Sequence, residues 1–366
     1  MSFSCGLVGL TNVGKSTLFN VLIKKFQAEV ANYPFCTIEP NLGIIEIPDE
    51  RLEVIAKKEK ISKIVPSYLK LIDIAGLVRG ASKGEGLGNQ FLAHIREVDV
   101  IVFVLRAFED PHIVNVLSKV DPLEELEILK LELILKDLET VEKRLNRVLK
   151  LAKACHSQAK EELKLLEKIK NLLESEKMSY LLLKEDPLAY EYAKKELFLL
   201  TAKPFIYVLN MGEENLKEER KYIKLFEERI KNEAPVIKIC SKLEYELLSL
   251  SPEEVEEFKE LYCLQESPFK KLIRAIIKLL DLIFFFTFNE EEVRAWQIKK
   301  GTPVVKAAGK IHSDFEKYFV VAEVINFERY KNFLNLSQAK EKGEVRLEGK
   351  SYIVEDGDII YLRIGK

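Results

Sequence analysis

The chain has 366 residues, enough for two or three domains and a sizeable core. Its composition, 47% hydrophobic and 32% charged, is ordinary for a soluble protein. A net charge of -2 excludes a global basic field, so any nucleic-acid contact has to come from local patches.

The five cysteines (Cys5, Cys36, Cys155, Cys240, Cys263) show no CxxC spacing, which argues against a zinc ribbon and a disulfide framework. The start, MSFSCGLVGL, lacks a basic n-region and runs straight into a strand, so it does not read as a signal peptide. The apolar run from Leu279 to Phe286 is too short to span a bilayer, contains Asp281, and reads as a buried strand. These features imply a cytoplasmic protein with no membrane partner.

Residues 3–9 form a hydrophobic run, followed by a glycine-rich turn and a helix from Lys15. Further apolar strands are expected at 42–47, 68–73, 100–105, 204–210 and 235–239, with helical patterns between most of them. That alternation predicts a parallel α/β sheet covered by helices. From about Pro122 to Leu200 it breaks off. Leu131, Ile134, Leu135, Leu138, Val141, Leu145, Val148 and Leu149 fall at three-and-four spacing, and a second helical run covers about 159–179. The pattern predicts a long antiparallel helical hairpin inserted into the sheet domain, with its turn at Ala154–Ser157, rather than a cap packed flat on the sheet. From near Leu282 the chain reads as a small, mostly β unit. The expected organisation is therefore a nucleotide domain of residues 1–121 and 201–281, a hairpin of residues 122–200 and a C-terminal domain of residues 282–366.

Gly9-Leu10-Thr11-Asn12-Val13-Gly14-Lys15-Ser16-Thr17 fits GxxxxGK[ST], between a strand and a helix. Glycines let the backbone curl around an anion, so the amides of Asn12 to Thr17 and the helix N-terminus face phosphate. Lys15 adds charge at the β and γ oxygens, and the Ser16 hydroxyl is placed to bind Mg2+. Asp73 ends the strand beside this loop, where the second Mg2+ contact belongs, and the Gly76 amide is free for the γ-phosphate. Thr37, in the loop between these motifs, can reach Mg2+ and phosphate when that loop closes.

At this point the chain resembles the Obg-like ATPases, the YchF-type branch of the Obg-related P-loop GTPases. The matching stretches are GLTNVGKSTLFN, NYPFCTIEPN, DIAGLVRGASKGEGLGNQFLAHIREVD, RAWQIKKGTPVVKAAGKIHSDFEK and EGKSYIVEDGD, spread over essentially the whole chain. The resemblance implies a Ras-like nucleotide domain with an inserted helical hairpin and a C-terminal TGS domain of the β-grasp type. Guanine-specific relatives carry Asn-Lys-x-Asp after a strand. Here Asn210-Met211-Gly212-Glu213 stands in that place, without the lysine and the aspartate that reads guanine. Losing that acceptor removes the guanine preference. ATP is thus the expected ligand, with Asn210, Met211, Glu213 and Ser241 around the base and GTP as the weaker alternative.

Leu77 follows Gly76 where Ras-like enzymes place a water-orienting glutamine. Two replacements stay open. Asn12 is spaced as in relatives that hold K+ near the phosphates, or His112 positions the water. The family commonly has its histidine where this chain has Asn115. For partners, Lys143, Arg144, Arg147, Lys150, Lys153 and Lys160 near the hairpin tip, and Lys306, Lys310, His312, Arg346 and Lys350 in the TGS region, suggest RNA contact on a ribosome or ribosomal subunit, by a protein expected to be monomeric. Three functions are open: an ATPase regulating translation, a GTP-hydrolysing assembly factor, or a nucleotide-gated protein without enzymatic purpose.

Overall fold

A computed structural model describes residues 3–26, 41–75, 87–153, 157–217, 220–231, 233–251, 253–255, 257 and 267–365. They form two compact units, one dominated by Lys70–Ala275, the other by Ile44–Leu69 and Ile276–Lys366. The strands are β1 (Ser4–Val8), β2 (Leu42–Ile47), β3 (Lys63–Val65), β4 (Ser67–Asp73), β5 (Val100–Ala107), β6 (Phe205–Met211), β7 (Val236–Ile239), β8 (Leu282–Phe288), β9 (Glu292–Lys299), β10 (Phe319–Asn326), β11 (Arg346–Glu348) and β12 (Asp358–Ile364). The helices that matter below are α1 (Lys15–Phe26), α2 (Glu50–Glu59), α3 (Leu87–Glu97), α4 (Pro122–Lys153) and α5 (Ser157–Glu174).

The first sheet has the order β2-β4-β1-β5-β6-β7. β1 pairs in parallel with β4 and β5, β5 with β6, and β6 with β7. Every residue of β1, β5 and β6 is buried, as expected for parallel strands covered on both faces. The phosphate loop leaves the C-terminal end of β1, between β4 and β5. In open α/β sheets that end, where strand order reverses, opens a crevice for ligands.

The inserted segment is a hairpin as expected. α4 is 32 residues long, about 48 Å at the usual helical rise. Ile134, Val141 and Val148, one heptad apart, are buried, with Leu138 and Leu145 partly buried between them. Across from them lie Ala159, Leu163, Leu166, Ile169 and Leu173 of α5. This is a coiled-coil seam, narrower than the stripe read from the sequence: Leu131 and Leu135 are exposed at 43% and 39%. The expected turn residues Ala154, Cys155 and His156 lie outside the described residues. At its root the hairpin packs on Leu182, Ala189, Tyr190, Ala193 and Leu199. There Asp137, 2% exposed, accepts hydrogen bonds from Leu200 N (3.0 Å), Thr201 N (2.7 Å) and Thr201 Oγ1 (2.6 Å).

The second unit is larger than residues 282–366. Its sheet runs β11-β10-β12-β8-β9-β3, and β3, from the N-terminal part of the chain, pairs in parallel with β9. α2 is held in the same unit: Arg51 binds Asp49 and Asp356, both at 2.7 Å, and Glu59 accepts from Tyr330 Oη and Leu336 N, both at 2.7 Å. The unit is also less purely β than expected, because Val304–Ile311 is a helix whose Val304, Ala307 and Ala308 are buried. The apolar run beginning at Leu279 is not one strand. Pro268–Leu279 is helical, Asp281 takes a left-handed φ of 51°, and β8 starts at Leu282. Among the described residues, no helix is long and apolar enough to cross a membrane.

Asp137→Ala leaves two buried backbone N–H groups without acceptors, so it should destabilise the first unit by about 2–4 kcal/mol. Urea unfolding followed by circular dichroism checks this. An unchanged midpoint would show that the turn at Leu200 holds without the carboxylate.

Candidate functional site

Two glycines make the phosphate loop possible. A Cβ on Gly9 would meet the Val104 carbonyl oxygen of β5 at 2.6 Å, so only glycine allows β1 to leave the sheet there. Gly14 has φ +86° and faces the Asn210 amide nitrogen, 2.1 Å from where its Cβ would stand. Asn12 also adopts a left-handed φ of 64°, a conformation asparagine tolerates better than most residues. α1 then starts at Lys15 with its first amides directed back at the loop.

Lys15 is 7% exposed and forms an ion pair with Asp73 at the end of β4. Ser16 Oγ donates to the other carboxylate oxygen of Asp73 at 2.9 Å. A lysine, a hydroxyl and a carboxylate are thereby gathered at the mouth of the loop. Ser16 and Asp73 are hard oxygen donors of the kind Mg2+ prefers, so the residues present fit that ion. Thr37, Gly76 and Leu77 lie outside the described residues.

Lys15 and Ser16, with other residues of the phosphate loop, line one side of a cavity of about 860 Å3. Its other walls come from Phe108, Glu109, Asp110 and Ile113 after β5, from Asn210 to Glu214 at the end of β6, and from Cys240, Ser241, Lys242, Tyr245 and Glu246 after β7. Asn210 is 4% exposed. Its amide nitrogen donates to Val13 O at 2.9 Å and its oxygen accepts from Ser241 N at 3.1 Å, so one side chain ties the phosphate loop to the ends of β6 and β7. Met211 lines the wall at 5% exposure. Glu213 pairs with Lys242 at 3.3 Å. Ser241 is a lining residue, and its hydroxyl is buried without a hydrogen-bond partner among the described residues. Cys240 stands beside it as a free thiol that burial pushes up to about 11. The cavity is therefore cationic at the phosphate loop and acidic elsewhere, with Glu109, Asp110, Glu213, Glu214 and Glu246 in its walls.

His112 sits exposed on the loop after β5, its backbone N–H donating to Asp110 Oδ1 at 2.8 Å. Its neighbours Asp110 and Ile113 line the cavity, but His112 does not. Asn115 is committed to a turn: its oxygen accepts from Leu117 N at 3.0 Å and its amide donates to Lys119 O at 2.8 Å. Asn12 Nδ2 donates to Val114 O at 3.2 Å. The residue that sequence reasoning missed is Arg106, at the end of β5 and 2% exposed, whose guanidinium faces the carbonyls of this loop. An arginine closing the apolar run Val100–Leu105 was the signal available.

The basic clusters differ. Lys143, Arg147, Lys150 and Lys160 are exposed and form no ion pair among the described residues, whereas Arg144 binds Glu162 at 2.6 Å. In the C-terminal unit Lys306 pairs with Glu316, Arg346 contacts Glu348 at 3.5 Å and donates to Tyr352 Oη at 3.2 Å, and His312 lies 3.7 Å from Asp314. Lys310 and Lys350 are exposed.

Residues 4–211 match the family model described as 50S ribosome-binding GTPase, and residues 282–365 match one described as a YchF GTPase C-terminal protein of unknown function. The chain is 48% identical to the ribosome-binding ATPase YchF of Bacillus subtilis, covering 99% of both chains. It is 44% identical to the protein of that name in Escherichia coli O157:H7, covering 98% of both. The solved YchF GTPase of Schizosaccharomyces pombe superposes with a TM-score of 0.88 at 37% identity, over 99% of this chain and 98% of that one.

Behind Arg106, Glu125 of α4 is 1% exposed and accepts from Arg106 N at 2.8 Å. Burial pushes its carboxyl up to about 7, against the opposing pull of that hydrogen bond and of the Arg106 charge. A carboxyl raised in the folded state holds a proton that the unfolded chain releases. Its contribution is therefore fully present below the unfolded value near 4.5 and lost as pH rises through 7. Glu125→Gln keeps an acceptor for Arg106 N–H and removes that titration. It should raise stability at pH 8, by up to about 3 kcal/mol, and leave it nearly unchanged at pH 4. Melting curves at the two pH values check this; an equal shift at both would assign the effect to packing.

Proposed function

The chain belongs to the YchF family of P-loop nucleotide hydrolases, and on that premise we propose that it binds and slowly hydrolyses ATP and associates with ribosomes or ribosomal subunits to regulate translation or stress responses. The observation that carries the ATP reading is the base end of the cavity. Asn210 is used up in holding the phosphate loop and Ser241, Met211 fills the place of the guanine-specific lysine, and the Glu213 carboxylate is engaged by Lys242. What remains for a base is the Ser241 hydroxyl, the Met211 side chain and backbone. None of these demands the N1 and N2 donors of guanine.

The phosphates would lie against the amides of Asn12 to Thr17, with Lys15 moving its charge from Asp73 to the β and γ oxygens. Ser16 and Asp73, joined by Thr37, would hold Mg2+, which supplies neutralisation of charge on the phosphate oxygens when bound. With leucine at position 77, the water has no glutamine. Asn12 holding K+ through its side-chain oxygen, or His112 swinging inward, are the two devices this chain offers, and Gly76 N–H adds a donor at the γ-phosphate.

A second reading, GTP as substrate, keeps one point in its favour: Glu213 is an acceptor in the right segment. Titration calorimetry separates the two. ATP should bind at least about tenfold more tightly than GTP, and Ser241→Ala should weaken ATP several-fold, about 1 kcal/mol for one lost hydrogen bond. Lys15→Ala should cost tenfold to a hundredfold, the usual 1.5–3 kcal/mol of a hydrogen bond to a charged group. Tighter GTP binding would reverse the assignment, and an unaltered ATP affinity in Ser241→Ala would remove Ser241 from the base contacts.

The ribosome reading draws on the relatives' names and on the free cations of the hairpin. RNA contact at the hairpin tip, with the TGS domain as the second surface, suits a cytoplasmic protein acting as a monomer. Among the described residues of these two clusters, the hairpin carries four exposed cations without an ion pair (Lys143, Arg147, Lys150 and Lys160) and the C-terminal unit two (Lys310 and Lys350), so the hairpin should dominate. Arg147→Glu together with Lys150→Glu should weaken co-sedimentation with purified ribosomal subunits about tenfold or more at low salt, whereas Lys310→Glu should act weakly. Equal loss from both would place the charge-dependent contact on both surfaces, and no loss from either would end the electrostatic argument.

A further inference from the structure

One buried side chain, Arg106, organises a wall of the cavity and one residue of the phosphate loop together. Its Nε donates to Phe108 O at 3.2 Å and its Nη2 to Ile113 O at 3.1 Å. Longer contacts of 3.4 Å run from Nη1 to Val114 O and from Nη2 to Asp110 O. The Phe108 ring lies 4.5 Å from the guanidinium carbon. Four carbonyls from a seven-residue stretch thus turn inward onto one cation. The loop is not held by its apolar side chains: Val114 is 75% exposed and Ile113 37%. What Val114 contributes is its carbonyl oxygen, which accepts from Arg106 on one side and from Asn12 Nδ2 of the phosphate loop, at 3.2 Å, on the other.

We infer that Arg106 is a positioning residue of the nucleotide site, fixing the Val114 carbonyl on which the Asn12 side chain docks. The inference rests on the nucleotide reading above and adds to it which residue sets the loop. Asn12 has a planar carboxamide, so anchoring Nδ2 on Val114 O fixes where Oδ1 points. Without the anchor the side chain is free to rotate at the surface. A guanidinium suits this task because it presents five N–H donors in a rigid fork. A lysine ammonium presents three from a single point and cannot serve carbonyls spread over residues 108–114.

Arg106→Lys keeps the charge and the stem and removes the fork, while Asn12→Ala removes the other donor to Val114 O. Each should lower kcat for ATP about tenfold, and the double variant should fall no more than about twofold below the weaker single one, because both act at one carbonyl. Losses that multiply to about a hundredfold, or an active Arg106→Lys, would overturn the inference. Hydrogen exchange of residues 108–116 in Asn12→Ala requires neither nucleotide nor an Arg106 variant that folds. Faster exchange in that loop with β5 unchanged is expected, and unaltered exchange counts against the docking. A parent protein that fails to bind ATP would sink the nucleotide reading, while the exchange result would still decide the link between Arg106, Val114 and Asn12.

Discussion

The Asn210 carboxamide links three segments that are far apart in the chain, and the shape of the cavity follows from it. Its nitrogen reaches Val13 O and its oxygen receives Ser241 N, so the phosphate loop, the end of β6 and the start of the segment after β7 share one planar group. The arrangement leaves no space at Gly14, where a Cβ would stand 2.1 Å from the amide nitrogen. A left-handed glycine, a buried asparagine and a backbone amide 31 residues further on therefore form one constraint, with both ends of the Asn210 carboxamide hydrogen-bonded inside the protein.

Around that link the charges are sorted by position. The phosphate end holds Lys15, half of an ion pair with Asp73, and the start of α1. The remaining walls are acidic, relieved by Lys242 beside Glu213. On the nucleotide reading proposed above, this sorting of charge would orient a triphosphate with its phosphates toward the first and away from the second. In the binding mode proposed above, Lys15 would exchange Asp73 for phosphate. The net gain is smaller than a free lysine would give, but the ammonium is held in place beforehand, which lowers the ordering cost of the complex.

Parts of this were legible in the sequence because they are local. β1, β5 and β6 are buried on both faces, so their hydrophobic runs are unbroken; α4 and α5 meet along a seam whose spacing is written in the residues themselves. The strand–loop–helix at Gly9 to Thr17 was legible because its glycine, lysine and serine spacing is local in the chain. Membership of Ile44–Leu69 in the second unit was not legible. It depends on pairing between Lys63–Val65 and Glu292–Arg294 and on Arg51 reaching Asp356, contacts separated by more than 200 residues. The helix Val304–Ile311 was masked by its opening β-branched pair, although Pro303 and the spacing of Val304, Ala307 and Ala308 were available as helix signals. Cations likewise look alike in a sequence: Arg144 and Lys306 carry the same formal charge as Arg147 and Lys310, and only the fold shows which have carboxylate partners.

Two buried charged groups hold irregular backbone in this fold. Asp137 gathers the amides of the turn leading to β6, and Arg106 gathers the carbonyls of the loop after β5. Both are about 2% exposed, and an ionised group there loses hydration that each single hydrogen bond restores only in part. Hydrophobic packing could not replace them, because loops leave N–H and C=O groups unpaired that apolar side chains cannot satisfy. The consequence is asymmetric. Asp137 serves amides at the root of a helical hairpin, so its loss is felt as stability. Arg106 serves carbonyls of a loop whose Phe108, Asp110 and Ile113 line the cavity and whose Val114 O, outside that lining, receives Asn12, so the same kind of group there ties the phosphate loop to the loop after β5.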